Sequence, residues 1–257
     1  MVEDRFRAVF ENNPHLAAIL PPALGPLRSW RPRLCLNLHG GSRSAWITAL
    51  SGARWRAGYG HFRHQFLYNA RIPRAQQILG VERTVHTAEH AASAIFWLGV
   101  PLTEIPRAAL FTASSEPGAS TGGRAPVAVI HPVAATPAKT WRPDGFLAVA
   151  EHLKQTGLDP VFIAAAQDDL SAFAAFRTLR GAPLSEIKSL LSRASLFVGN
   201  DSGPAHMAAA FGVPVVAIFG ESNPAIWGPW RTASEIVPMD AEPAQVLAAV
   251  ARLGVHA

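Results

Sequence analysis

The stretch that decides the fold runs Leu196-Phe-Val-Gly-Asn-Asp-Ser-Gly-Pro-Ala-His206 and continues Met207-Ala-Ala-Ala-Phe-Gly-Val-Pro-Val-Val-Ala-Ile-Phe-Gly220. It reads as a strand, a tight polar turn, a helix and a second buried strand. The turn sets Asp201, Ser202 and Gly203 at the start of the helix that carries His206. A helix start offers unpaired backbone N–H groups and the positive end of the macrodipole, which together suit a phosphate or diphosphate. Gly203 leaves room for close approach, Asp201 orients the turn, and His206 follows Ser202 by one helical turn on the same face. From there His206 can donate to a phosphate oxygen. An N-capped helix with a core histidine would produce the same pattern without any ligand.

The residues on either side alternate in the same way. Strands are expected at 127–131, 160–166, 195–198 and 213–219, and helices at 142–155, 168–179, 185–193, 204–211 and 244–253. Short apolar strands alternating with helices imply a parallel, doubly wound α/β sheet, whose ligands lie beyond the carboxyl ends of the strands. His131, Asp201 and Gly220 all fall there. Earlier in the chain, helices are expected at 6–11, 42–50 and 87–98 and strands at 34–38 and 55–58, a thin sheet for a free-standing domain. The segment 112–125 is small, polar and rich in Gly and Ser, so it reads as a linker. This gives three parts: an N-terminal domain 1–111, the linker 112–125, and a C-terminal domain 126–257.

Composition sets limits. Among 257 residues 49% are hydrophobic and 16% charged, which is globular rather than disordered. No apolar run reaches the roughly 18 residues a membrane span needs, and the N-terminus has no signal-peptide pattern. The single cysteine, Cys35, excludes disulfides and cysteine metal clusters within the chain. A cytoplasmic protein fits. Residues 1–111 hold 13 Arg against 6 acids, while residues 112–257 hold 10 Lys and Arg against 12 acids. The basic first part either meets a polyanion or an anionic membrane surface, or spreads its arginines over a solvated face.

Other segments carry weaker signals. Lys139, one of few lysines, lies in the loop after the strand ending at His131, where an ammonium suits a phosphate; Thr136 is a hydroxyl candidate beside it. Asp168 and Asp169 follow the next strand, where a carboxylate can accept from ribose hydroxyls or simply cap a helix. His86-Thr-Ala-Glu-His90 has the inverted zinc-protease spacing, but no third ligand is specified and the helix reads as a packing element. His39-Gly-Gly is similar to an esterase oxyanion loop, yet Ser202 sits one position too late for a G-x-S-x-G elbow. His61, His64, Arg54, Arg56, Arg63, Arg71 and Arg74 form the densest basic patch, suited to an anionic acceptor or to solvent.

Taken together, the chain resembles glycosyltransferase family 9, the ADP-heptose:lipopolysaccharide heptosyltransferases. The resemblance rests on Val129-Ile-His-Pro-Val-Ala-Ala-Thr-Pro-Ala-Lys-Thr-Trp-Arg-Pro143, on residues 179–191, on the 196–220 block, and on Glu221-Ser-Asn-Pro-Ala-Ile-Trp-Gly-Pro229. Phe10-Glu-Asn-Asn-Pro14, residues 36–44, Gly58-Tyr-Gly60 and Leu98-Gly-Val-Pro101 extend it into the first half. It implies a GT-B fold, α/β, with two Rossmann-like doubly wound domains, the N-terminal one incomplete.

It also implies that Asp201, Ser202, Gly203 and His206 form the nucleotide-diphosphate site, with Lys139 as the phosphate-contacting lysine and Thr136 nearby. The ribose acid then falls at Asp168 or Asp169. The implied reaction is inverting transfer of heptose from ADP-heptose to an anionic, lipid-linked core oligosaccharide. The donor belongs to the C-terminal domain and the acceptor to the N-terminal one. No cofactor, metal or nucleic-acid partner is expected, and the implied location is cytoplasmic, with peripheral contact at the inner membrane. Family members open with a strand and a Gly-Asp turn that supplies the general base; the present sequence starts beyond that pattern, so no catalytic base is assigned. A non-catalytic nucleotide-sugar or ADP-binding homologue is the alternative.

Overall fold

The computed structural model describes residues 1–113, 125–134 and 136–255. Most of the expected linker, residues 114–124, lies outside the described residues. The chain divides into two compact units: residues 1–7 with 14–105, and residues 8–13 with 106–257.

In chain order, a 3-10 turn (Asp4–Phe6) precedes α1 (Arg7–Phe10) and α2 (Leu24–Ser29). Then come β1 (Leu34–Asn37), α3 (Ser42–Ala49), β2 (Trp55–Tyr59), β3 (Ala70–Ile72), α4 (Ala75–Leu79) and α5 (Thr87–Trp97). The second unit continues with β4 (Val127–His131), α6 (Pro143–Gln155), β5 (Asp159–Ala164), β6 (Arg177–Arg180), α7 (Leu184–Leu191) and β7 (Ala194–Asn200). It closes with α8 (Gly203–Phe211), β8 (Val215–Phe219), α9 (Pro224–Trp227), β9 (Ser234–Pro238) and α10 (Pro243–Arg252).

The first unit holds a parallel three-stranded sheet in the order β1-β2-β3. Ala57, Tyr59 and Ile72 form its core with Ala94 of α5. β1 lies at the edge, and Leu34, Trp46 and Trp55 are exposed.

The second unit holds six parallel strands in the order β6-β5-β4-β7-β8-β9. The order reverses between β4 and β7, so chain segments leave the ends of these neighbouring strands on opposite faces of the sheet. That switch point is where doubly wound folds bind ligands. Side-chain alternation explains why both faces are covered. Ala128 and Ile130 of β4, with Leu196 and Val198 of β7, pack into one core with α6 and α10. Val129 and Phe197 point the other way, into a core shared with α7 and α8. All five β8 residues are buried, which is the continuous apolar run a central parallel strand requires.

The helix expected at 168–179 does not form. Asp169 accepts from Ser171 N and Ser171 Oγ at 2.8 and 3.0 Å, tightening the segment into a single 3-10 turn at Ser171–Phe173. Phe173 stacks on Phe162 with ring centroids 4.3 Å apart, and Phe176 lies 5.5 Å from the same ring. Both aromatics therefore reach the core without a helical stripe, and 177–180 is released to extend the sheet as β6.

Candidate active site at the sheet switch point

β4 ends at His131 and β7 ends at Asn200, with His131 paired to Gly199. A Cβ on Gly199 would stand 2.8 Å from the His131 carbonyl oxygen, so only glycine fits at this strand crossing. The close approach brings His131 Nδ1 within 3.0 Å of Ser202 Oγ. Burial pushes the His131 imidazole down to about 4, against a weaker upward pull from the Asp168 carboxylate. Its ring is therefore neutral at physiological pH.

Ser202 is the residue before α8, in extended conformation, and its side chain makes no capping bond to the helix. The hydroxyl is turned to His131 instead. A Cβ on Gly203 would meet nothing within 4 Å, so the space before the first turn of α8 is open. Asp201 N donates to Ile218 O of β8 at 3.0 Å, which fixes the turn to the sheet. Asp201 Oδ1 stands 3.9 Å from His206 Nε2, so the carboxylate faces the imidazole one turn into α8.

The loop after β4 closes over the same strand ends. Thr136 O accepts from Lys139 N and from Thr140 Oγ1, each at 3.0 Å, folding 136–140 into a tight turn. Residue 135 lies outside the described residues. Lys139 Nζ donates to Ser222 Oγ at 3.1 Å, in the loop after β8. Gly220 belongs to this packing, since a Cβ there would come within 3.3 Å of Ala138 O. The ammonium is thus held over the carboxyl ends of the strands.

The other expected residues differ in what they do. Thr136 is exposed, and its carbonyl rather than its hydroxyl organises the turn. Asp168 Oδ2 accepts from Ala165 N at 2.9 Å. Both Asp169 oxygens are engaged by Ser171, which holds that carboxyl below its usual range. The sequence pattern gave no sign of Ser222 as the lysine's partner, nor of His131 as the partner of Ser202.

The competing motifs in the first unit have structural roles. His86 Nδ1 accepts from Ala88 N at 3.1 Å as the cap of α5, Glu89 pairs with Arg83 at 2.6 Å, and the His90 ring stacks on Tyr59 at 4.0 Å. Among the described residues, no group of three or more His, Cys, Asp or Glu is arranged to hold a metal ion. The N–H groups of His39 and Gly40 both donate to Asn37 Oδ1, so they do not form an oxyanion loop. A separate cleft of about 300 Å³ opens beyond β2 and β3, lined by Gly60, His61, Ile72, Pro73, Arg74 and Gln77. Burial and the Arg74 charge lower the His61 pKa, and burial with His61 nearby lowers that of His90. No helix among the described residues is long and apolar enough to cross a membrane.

Comparison with known proteins bears on the fold and the family. Lipopolysaccharide heptosyltransferase 3 of Escherichia coli K12 is 34% identical over 113 residues, 40% of this chain and 33% of that protein. The chain therefore spans about a third of the length of that curated relative. Among solved structures, the glycosyl transferase family 9 protein of Veillonella parvula superposes with a TM-score of 0.81 at 20% identity, over 98% of this chain and 86% of that one. The E. coli ADP-heptose lipopolysaccharide heptosyltransferase II gives 0.75 at 21% identity, over 97% and 87%. These likenesses establish the fold as α/β of the GT-B type with two Rossmann-like units. The family described as glycosyltransferase family 9 (heptosyltransferase) matches residues 27–254, nearly the whole chain, and the chain belongs to that family.

Proposed function

We propose that this protein transfers heptose from ADP-heptose to a lipopolysaccharide core acceptor with inversion. The reading is carried by one observation: His131 and Ser202 meet at the β4/β7 switch point in front of an open helix start, while the lysine loop after β4 holds the Lys139 ammonium to Ser222 in the loop after β8. The donor occupies the second unit. The N–H groups at 202–203 and the Lys139 ammonium meet the diphosphate charge, and His206, oriented by Asp201, donates to a phosphate oxygen. Asp168 reaches the ribose, with Asp169 shaping its turn and Thr136 at the rim.

The acceptor hydroxyl attacks the anomeric carbon, the bond from that carbon to the diphosphate oxygen breaks, ADP departs with the electron pair, and the hydroxyl proton is released to solvent. Charge stabilisation of the departing diphosphate is this unit's part in the reaction. The acceptor, anionic and lipid-linked, belongs to the arginine-rich first unit, where the cleft holding His61 and Arg74 is open to it. On this reading the protein works in the cytoplasm, at the membrane face where such an acceptor lies.

A second reading has its own observation. The described carboxyl ends of β1, β2 and β3 carry His39, His61 and Arg74 but no carboxylate. A protein that binds the nucleotide sugar without turnover fits that arrangement.

Calorimetry with ADP and a transfer assay with ADP-heptose and a heptose-free core acceptor separate the readings. The wild type binds ADP in both cases and consumes donor only in the first. Lys139→Ala weakens ADP by about tenfold or more, the loss of a charge-assisted contact. Equal ADP affinity in wild type and Lys139→Ala would remove the donor-site assignment.

A further inference from the structure

We infer that His131 is a positioning residue that makes the Ser202 hydroxyl a hydrogen-bond donor toward an anionic oxygen at the start of α8. The inference rests on the donor-site reading and gives His131 a role in it. Serine before a helix normally turns its hydroxyl onto the free N–H groups of the first turn. Here the side chain makes no such bond, and Oγ lies 3.0 Å from His131 Nδ1. The second helical position is Pro204, which has no N–H, and Ala205 N is taken by the Ser202 carbonyl at 3.1 Å. The first turn therefore needs nothing from the Ser202 hydroxyl.

Two tautomers of a neutral imidazole give opposite results. If Nδ1 accepts, the Ser202 proton points at His131 and only lone pairs face the open space. That arrangement repels a phosphate. If Nδ1–H donates, the hydroxyl proton is released toward the open side, where a Cβ on Gly203 would meet no atom within 4 Å. Only this arrangement suits an anion. The placement is set by the backbone, because Gly199 lets β4 and β7 meet closely enough for the contact.

The test is a double-mutant cycle on ADP affinity with the full chain. His131→Ala and Ser202→Ala each weaken ADP by about tenfold, and the double variant is no weaker than either single, because both remove the same donated bond. His131→Asn, whose amide N–H can replace Nδ1–H, recovers most of the loss seen with His131→Ala. In the ADP complex, ¹⁵N shifts report His131 protonated on Nδ1. Additive losses, or a ring protonated only on Nε2, would overturn the inference. A wild type that binds no ADP would instead overturn the donor-site reading, so the two failures are distinct. Should His131→Ala fail to fold, the ring shifts in the wild type decide the matter alone.

Discussion

Asn200 is fully buried where β7 ends, and its Oδ1 accepts from Trp141 N at 2.9 Å. Trp141 is in turn anchored by Nε1 donating to Ala241 O at 3.0 Å, and its ring lies edge-on to Phe146. One side chain thus ties the lysine loop to the turn before α8. Its Nδ2 has no protein partner, so the contact is held through the oxygen alone. Asn200→Leu should cost about 1–3 kcal/mol, since Trp141 N is left buried and unpaired. It should also weaken ADP, because Lys139 loses its anchor. Gly203 behaves differently: its φ is not positive, and a Cβ there meets nothing within 4 Å apart from its chain neighbours, so Gly203→Val should cost no more than about 1 kcal/mol of unfolding free energy, the strain of a side chain before Pro204. The same variant should reduce ADP affinity by filling the approach to the helix start. Unfolding curves and calorimetry on both variants check the contrast. A Gly203→Val protein that binds ADP normally would show that no ligand approaches there.

At the scale of elements, α7 carries an expectation that its sequence hides. Lys188 is buried on this helix, and its ammonium donates to Ala8 O at 2.6 Å and Glu11 O at 3.0 Å. Burial lowers its pKa. These bonds satisfy carbonyls in and just after α1, which is too short to hold itself together. Lys188→Met keeps the stem volume but removes the donor. It should destabilise the second unit by about 1–3 kcal/mol and raise amide exchange in residues 8–13. Unchanged exchange there would contradict the role.

Sequence periodicity revealed β4, β7, α8 and β8, because buried strands and an amphipathic helix are written in alternation. It failed where tertiary contacts override local pattern. Phe173 and Phe176 have helical spacing, yet packing on Phe162 holds them in a turn, and Arg177-Thr-Leu-Arg180 becomes an edge strand with no fully buried position. β3 was missed because it has only three residues before Pro73, and β9 because it is mostly exposed or half-buried and ends on Pro238. The turn residues 201–203 and Lys139 stand out in the sequence as a candidate phosphate site. Their long-range partners, His131 and Ser222, were not, since nothing local records a contact across 71 or 83 residues.

At the scale of the whole molecule, three histidines bias its response to acid. His131 is held at about 4, and His61 and His90 are also shifted down. Each is depressed mainly by burial, which disfavours the charged ring. In the unfolded chain a histidine takes up its proton near 6.5. Between that value and about 4, the unfolded state binds a proton at His131 that the native state refuses, so stability falls as pH falls through this window. Above about pH 7 the contribution is complete, and below about 4 it is lost. A shift of this size amounts to about 3 kcal/mol in full, with about 2 kcal/mol gone by pH 5. His61 and His90 act in the same direction in the first unit. Because the two units have separate cores, amide exchange of β4 and β7 follows the His131 effect, and that of β2 follows the other two. The expected result is a fall in protection of β4 and β7 from pH 7.5 to 5 that is flatter in His131→Asn, which carries no titrating ring. If His131 instead titrates near 6.5 by NMR, or if protection falls equally in the variant, the imidazole is not held neutral by the switch-point packing, and the loss in acid must be traced to the carboxylates.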